Sequence, residues 1–140
     1  MINIKDVLPH REPFLFVDEI VSCKYQEYAK GYRRIKADET WIPGHFPDNP
    51  IFPGVLLLES MAQVGGFIFA NEEGRSDKIA FLSKVDNLKY IRRVLVGDTV
   101  EIEAAFINSF MNYAEVFVKS FVNGKKVASC NIVYTFLDKL

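Results

Sequence analysis

The chain has 140 residues, of which 49% are hydrophobic and 25% charged, with a formal net charge of −1. This composition is ordinary for a globular protein and too hydrophobic for an intrinsically disordered one. Because acidic and basic side chains balance, no bulk positive charge is available to bind nucleic acid or an anionic membrane. The length is typical of one compact domain, which we expect to span residues 1–140.

The N-terminal sequence and the cysteines favour a cytoplasmic protein. Met1-Ile2-Asn3-Ile4-Lys5-Asp6 reaches charged residues at once, and the next apolar run is too short for the hydrophobic part of a signal peptide. The longest apolar stretch, residues 54–70, falls short of the roughly 20 residues of a membrane span. Cys23 and Cys130 follow no metal-ligand spacing, so we expect free thiols and no metal site.

Strand signals occur on both sides of a central apolar segment. Two strands are predicted before it, over residues 14–21 and 27–35, and the first is apolar enough to be buried on both faces. Four strands are predicted after it, over residues 79–85, 99–107, 114–122 and 125–136. Asn123-Gly124 separates the last two and indicates a two-residue hairpin, because both residues tolerate positive φ.

The central segment combines a stiff loop with an apolar helix. Residues 43–54 contain four prolines, which fix φ and remove backbone donors, so this loop is predicted to be irregular. Pro53 at the first turn and Gly74 as a left-handed cap predict a helix of about 20 residues. A helix that is apolar nearly all round must be covered. The predicted fold is therefore α+β, with five to six antiparallel strands wrapped around one long central helix.

Two ionisable residues lie among apolar or rigid neighbours, as a dry site would require. His45 lies in the proline-rich loop, where a neutral imidazole can accept a proton. Glu59 lies in the apolar helix, where desolvation favours the neutral acid, a proton donor. The N–H groups at the helix start, beside Gly54, can hydrogen-bond a carbonyl oxygen and stabilise an enolate. Gln63, one turn after Glu59, is placed to orient its carboxyl group.

Three segments carry a family resemblance. They are Leu8-Pro9-His10-Arg11-Glu12-Pro13-Phe14-Leu15, then Gly44-His45-Phe46-Pro47, then Pro53-Gly54-Val55-Leu56 followed by Glu59-Ser60-Met61-Ala62-Gln63. Together they resemble the signature of the beta-hydroxyacyl-acyl-carrier-protein dehydratases of the FabZ type. The resemblance implies a hot-dog fold and a homodimer with sheets joined edge to edge, or a hexamer built as a trimer of dimers. It also implies active sites at the dimer interface, with the histidine from one subunit and the glutamate from the other.

The resemblance also implies an activity and the roles of three residues. The family dehydrates (3R)-hydroxyacyl-acyl carrier protein to trans-2-enoyl-acyl carrier protein in fatty acid or related lipid and polyene biosynthesis. His45 matches its base, Glu59 its acid and Gly54 its donor to the thioester carbonyl. Glutamate at position 59 is typical of the dehydratases, whereas the bifunctional dehydratase/isomerases carry aspartate. No cofactor is implied, because the phosphopantetheine arm of acyl carrier protein carries the substrate.

Other residues receive predictions that follow from the resemblance. The expected acyl tunnel is lined by Phe46, Phe52, Val55, Phe110, Met111 and Tyr113, with packing in the core preferred for the last three. The expected docking surface for acidic acyl carrier protein consists of Lys84, Lys89, Arg92 and Arg93, with a solvated strand end as the equal alternative. His10 is interpreted as a turn or packing histidine outside the site.

Two other functions stay open for the sequence. In a hot-dog acyl thioesterase, Glu59 would activate water, and His45 would have no clear task. In a non-catalytic acyl-carrier-binding subunit, the site would persist only as packing. Val96, where the family usually has proline, and the segment 109–113 depart from the family pattern, so acyl chain length stays open as well.

Overall fold

The computed structural model describes residues 3–45, 48–70 and 78–138. Its helices are α1 (Ile4–Val7) and α2 (Gly54–Gly66), with 3-10 turns at Ile42–Gly44 and Phe67–Phe69. Its strands are β1 (Glu19–Lys24), β2 (Tyr28–Arg34), β3 (Lys78–Tyr90), β4 (Thr99–Phe110), β5 (Tyr113–Val122) and β6 (Lys125–Asp138).

The strands form one sheet in the order β1-β2-β4-β5-β6-β3, and every neighbouring pair is antiparallel. Helix α2 packs mainly against β2, β4 and β5, in the middle of the sheet. Its side chains Met61 and Val64 are fully buried there. The predicted α+β fold, an antiparallel sheet around one main helix, is confirmed. Strands β1 and β3 form the two edges.

The tight turn between β5 and β6 is the one that the sequence indicates. Asn123 has φ 52° and Gly124 has φ 77°, and the flanking residues Val122 and Lys125 pair directly. A left-handed backbone at both positions gives the twist that a two-residue hairpin needs. The hairpin prediction is confirmed.

The first predicted strand begins later than expected. The prediction placed it over residues 14–21, but β1 starts at Glu19. Phe16 is buried, yet its N–H donates to the side-chain oxygen of Gln63, and Gln63 in turn donates to the carbonyl of Phe14. Because a helix side chain takes these backbone groups, they are not available to a strand ladder. Burial on both faces is also wrong, since Val21 is exposed.

Helix α2 is shorter than the predicted 20 residues. It spans 13 residues and then tightens into the 3-10 turn Phe67–Phe69, after which Ala70 is extended. Two consecutive glycines, Gly65 and Gly66, end the α-helical part, where glycine has a low helix propensity. Gly74, the predicted cap, lies outside the described residues. Pro53 is the N-cap, one position before the first helical residue.

Candidate active site

Glu59 faces an apolar cavity of about 270 Å³ on the side of α2 that meets the N-terminal segment and β3. The cavity is lined by Val7, Leu8, Pro9, His10, Glu59, Ala62, Gln63, Gly66, Phe69, Tyr134, Phe136 and residues 78–82. The side chain of Glu59 is 20% exposed. A half-buried carboxyl group at the wall of a largely apolar cavity is placed to exchange a proton with a ligand held there.

Two nitrogen atoms approach the same oxygen of Glu59. Nε2 of Gln63 donates to Oε1 over 3.1 Å, and Nε2 of His10 lies 3.3 Å from the same oxygen. The amide oxygen of Gln63 accepts from the N–H of Phe16 over 2.9 Å, so the amide cannot turn without losing that bond. Gln63 therefore holds the carboxyl group and the segment before β1 together.

His45 follows the 3-10 turn Ile42–Gly44, and its Nδ1 lies 3.0 Å from the carbonyl oxygen of Ile51. Because a carbonyl oxygen only accepts, Nδ1 carries the hydrogen in this bond. In the neutral ring, Nε2 then has the lone pair, and it is the nitrogen that can take a proton. The described residues that line the cavity of Glu59 do not include His45. Of the two predicted catalytic residues, only Glu59 thus belongs to the described lining of this cavity.

A buried ion pair holds the loop that carries His45. Arg33, on β2, pairs with Glu39, and Glu39 also accepts from the indole N–H of Trp41 over 2.9 Å. Both charged side chains are about nine-tenths buried. The ring of Trp41 packs edge-on against His45, with 6.4 Å between ring centroids, and against Phe52, with 5.6 Å. The position of His45 therefore depends on the sheet through Glu39 and Trp41.

Gly54 is the first residue of α2, as predicted. The first N–H groups of a helix have no carbonyl partner inside the helix, and the helix dipole adds positive potential there. Leu56 and Leu57 both donate to the carbonyl of Pro53, which anchors the first turn. This helix end can therefore bind a carbonyl oxygen on which negative charge develops.

The predicted tunnel residues occupy three different environments. Phe52 is buried in the core, whereas Val55 is 72% exposed on the first turn of α2. Phe110, Met111 and Tyr113 form the tip of the β4–β5 hairpin and are 73%, 85% and 48% exposed. Their preferred interpretation as core residues is wrong, because these three side chains lie at a hairpin tip at the end of the sheet and are exposed. Phe46 lies outside the described residues.

The predicted docking residues are all exposed and belong to one stretch of the chain. Lys84 and Lys89 lie on the edge strand β3, and Arg92 and Arg93 follow its end. All four side chains are exposed. Lys84 lies 3.3 Å from Asp86, so part of its charge is balanced locally.

His10 is the site residue that the sequence interpretation missed. The sequence interpretation puts it outside the site, but it lines the cavity and contacts Glu59. The two residues lie on different elements, so no periodicity of the sequence could pair them. The one available signal was the position of His10 inside the N-terminal segment of the family resemblance. Tyr134 and Phe136, on β6, also line the cavity, and the sequence suggested only a strand there.

Comparison with known proteins identifies the family of the chain. Residues 8–131 match the family model described as a FabA-like domain. The chain belongs to the FabA-like domain family. Within it, the chain is 38% identical to a protein of Campylobacter lari named 3-hydroxyacyl-[acyl-carrier-protein] dehydratase FabZ, over 99% of this chain and 98% of that protein. It is 36% identical to the bifunctional enzyme LpxC/FabZ of Chlorobaculum tepidum, where it spans 97% of this chain but 29% of that protein.

The fold of this FabA-like chain is shared with a solved dehydratase complex. The dehydratase heterocomplex ApeI:P from Xenorhabdus doucetiae superposes with a TM-score of 0.83 and 14% identity, covering 99% of this chain and 93% of that one. At this identity the likeness concerns the fold, which is the predicted hot-dog fold. Among the described residues, none of the helices has the length and apolar character needed to span a membrane.

Proposed function

We propose that the protein dehydrates (3R)-hydroxyacyl thioesters carried on acyl carrier protein to trans-2-enoyl thioesters. The observation that carries this proposal is the 38% identity to a FabZ dehydratase over nearly the full length of both chains. The site supports it independently. Glu59 lies at an apolar cavity with its carboxyl group oriented by Gln63, and His45 has its Nδ1 occupied so that Nε2 is the basic nitrogen.

In the proposed mechanism, His45 and Glu59 act at adjacent carbon atoms. Nε2 of His45 takes the C2 proton, and the electron pair of that C–H bond forms the C2=C3 double bond. The C3–O bond breaks, and Glu59 donates its proton to the leaving hydroxyl group, which departs as water. Charge that develops on the thioester oxygen is stabilised by the N–H groups at the start of α2, at Gly54. The hydroxyacyl thioester is thus converted to one enoyl thioester and one water, and the reaction balances without a cofactor.

The direct test is mass spectrometry of a short (3R)-hydroxyacyl-acyl carrier protein incubated with the native protein, His45→Asn or Glu59→Gln. We expect loss of one water from the carrier-bound acyl group with the native protein, and a decrease of at least about 100-fold with either variant. Cleavage to free carrier would identify a thioesterase instead. No change at any chain length would favour a binding subunit.

The proposal includes a site shared between two subunits. It is supported by the absence of His45 from the described lining of the Glu59 cavity and by the edge strand β3, whose Phe81 and Leu82 are exposed. Two such edges can pair to extend the sheet across a dimer. The acyl carrier protein and a second copy of this chain are thus the proposed partners.

Mixing two inactive variants tests the shared site. If His45 and Glu59 meet across the interface, a refolded mixture of His45→Asn and Glu59→Gln contains dimers with one intact site. Random pairing then restores about one quarter of native activity, because half of the dimers are mixed and each has one of two sites. If both residues acted within one chain, every site would keep one substitution and no activity would return.

The exposed basic residues beside β3 support a docking surface for acidic acyl carrier protein. Complementary charge raises the association rate and weakens with salt. Arg92→Glu with Arg93→Glu is therefore expected to raise the KM for the carrier substrate at low ionic strength and to lose this effect at high salt. Lys30→Glu, on β2 near the opposite edge of the sheet, is the control and should leave KM unchanged. An unaltered KM in the arginine variants would reject this surface.

A further inference from the structure

His10 makes a contact that neither a turn histidine nor a packing histidine needs. Its Nε2 lies 3.3 Å from Oε1 of Glu59, and the two side chains are 26% and 20% exposed. The ring stacks on Phe14, with 6.2 Å between centroids and 24° between planes. The segment itself is fastened by Arg11, whose guanidinium donates to the carbonyls of Leu8 and His10, each over 2.8 Å. The ring is thus packed on Phe14 and the backbone that carries it is fastened by Arg11, with Nε2 next to the carboxyl group.

The second ring nitrogen shows which form of the imidazole fits. Nδ1 is buried and has no hydrogen-bond partner among the described residues. A protonated ring would bury an N–H at this position without an acceptor, which is costly. In the neutral tautomer with its hydrogen on Nε2, the unpaired group at Nδ1 is a lone pair on an uncharged ring, and the hydrogen lies on the nitrogen that has a partner. In this form Nε2–H points to Glu59 and donates to it.

Two donors therefore meet at one oxygen of Glu59. Nε2 of Gln63 and Nε2 of His10 both contact Oε1, and no hydrogen bond or ion pair joins Oε2 to another of the described residues. A protonated carboxyl group accepts hydrogen bonds through its C=O oxygen and donates through its O–H. With Oε1 occupied as the acceptor, the proton must lie on Oε2. The pair of donors also stabilises the carboxylate that remains after the proton has left.

We propose that His10 is a positioning residue that, with Gln63, fixes Oε1 of Glu59 so that Oε2 carries and delivers the catalytic proton. This inference rests on the proposed role of Glu59 as the acid. It predicts that His10 affects departure of the leaving group and not removal of the C2 proton. It also predicts an effect on kcat more than on KM, because the hydrogen bond of His10 positions the acid and not the substrate.

A change of leaving group separates these possibilities. The probes are the pantetheine thioesters of 3-hydroxybutyrate and 3-fluorobutyrate. Loss of hydroxide needs a proton from the acid, whereas fluoride leaves with much less assistance. His10→Phe keeps a ring to stack on Phe14 but has no N–H. We expect it to lower kcat on the hydroxy substrate by about 10-fold or more and to change kcat on the fluoro substrate by less than about 3-fold.

Matched variants complete the experiment. His10→Gln retains an N–H donor and should recover part of kcat, whereas His10→Met has the same length without the donor and should not. This pair makes the same comparison if His10→Phe does not fold. Equal losses of His10→Phe on both substrates, or equal kcat for the Gln and Met variants, would overturn the proposal.

The proposed function is tested separately in the same assay. Glu59→Gln should lose far more kcat on the hydroxy substrate than on the fluoro substrate, and His45→Asn should lose equally on both. If the loss of kcat in Glu59→Gln is the same for both leaving groups, Glu59 is not the acid, whatever the result for His10. If the loss of kcat differs between the two leaving groups in Glu59→Gln but not in His10→Phe, only the proposed role of His10 is wrong.

Discussion

The hydroxyl group of Tyr90, at the end of β3, donates a hydrogen bond of 2.7 Å to the carbonyl oxygen of Gly54, the first residue of α2. Burial raises the pKa of Tyr90, so the hydroxyl stays a donor throughout the neutral range. The ring lies so close to Gly54 that a methyl group there would be 3.0 Å from Cζ and 3.2 Å from Cε1. The edge strand therefore sets the position of the helix end that we assign to the thioester carbonyl.

This packing predicts an energetic coupling between the two positions. Gly54→Ala should lower the free energy of unfolding in the native background, because the added methyl group displaces the Tyr90 ring. In a Tyr90→Ala background the space is open and alanine is the better helix former, so the loss should shrink or reverse. We expect a coupling of about 1 kcal/mol in a double-mutant cycle measured by urea unfolding.

A second helix glycine provides the control for this cycle. A methyl group at Gly66 would lie 3.6 Å from its nearest neighbour, a methyl group of Leu8, which is an ordinary contact. Gly66→Ala should therefore show no coupling to Tyr90→Ala. If Gly54→Ala and Tyr90→Ala are also simply additive, the ring does not restrain the helix start.

Features with a local signature could be predicted from the sequence, and features made by distant residues could not. Asn123-Gly124 predicts its hairpin because the turn needs only the φ preferences of two adjacent residues. Gln63 could be placed beside Glu59 because residues four apart share one helix face. The contact between His10 and Glu59 has no such rule, since it depends on how the N-terminal segment packs across α2. The start of the first predicted strand is wrong for a related reason. Gln63, which is distant in sequence, forms hydrogen bonds with the backbone of these early residues.

We expect a substitution of Gln63 that preserves its shape to lower the free energy of unfolding strongly. It is 2% exposed and makes three hydrogen bonds, with the N–H of Phe16, the carbonyl of Phe14 and Oε1 of Glu59. Gln63→Met fills similar space but leaves the buried N–H of Phe16 and the partly buried carbonyl of Phe14 without this partner. We expect a loss of about 2–4 kcal/mol in the free energy of unfolding, measured with urea.

The control for Gln63→Met is a polar side chain with one hydrogen bond. Asn131, on β6, is half-buried and donates only to Glu115, over 3.1 Å. Asn131→Leu should cost about 1 kcal/mol or less. Equal losses for the two variants would show that the backbone groups near Phe14 find other partners.

Alkaline pH is expected to destabilise the fold through a buried thiol. Burial raises the pKa of Cys130 from 9.0 to about 11, so the unfolded chain loses this proton at a lower pH than the folded protein does. Ionisation therefore favours unfolding, and the free energy of unfolding should fall as pH rises from about 9 to about 11. Burial also raises the pKa of Tyr134 well above 10.0, which extends the fall above pH 10.

Urea unfolding as a function of pH separates the contribution of Cys130. Cys130→Ala should give a smaller decrease in stability between pH 9 and pH 11 than the native protein does, whatever its stability at neutral pH. Cys23→Ala is the comparison, because Cys23 is half-buried and its pKa is raised less strongly. If the free energy of unfolding of Cys130→Ala falls with pH as steeply as that of the native protein, other groups cause the loss of stability at alkaline pH.

The ion pair between Arg33 and Glu39 links fold stability to the position of His45. Glu39→Gln leaves the charge of Arg33 buried with only Asp18, at 3.7 Å, to balance it, and weakens the bond to the indole of Trp41. We expect a loss of about 3 kcal/mol in the free energy of unfolding, because the remaining charge stays desolvated. Turnover should also fall, because Trp41 packs against His45.

Glu103→Gln is the control, since its pair with Lys30 spans 3.7 Å between exposed side chains and should contribute less than about 1 kcal/mol. Comparable losses in the two variants would mean that the Arg33 charge reaches water, and native turnover in Glu39→Gln would mean that His45 is held by other contacts.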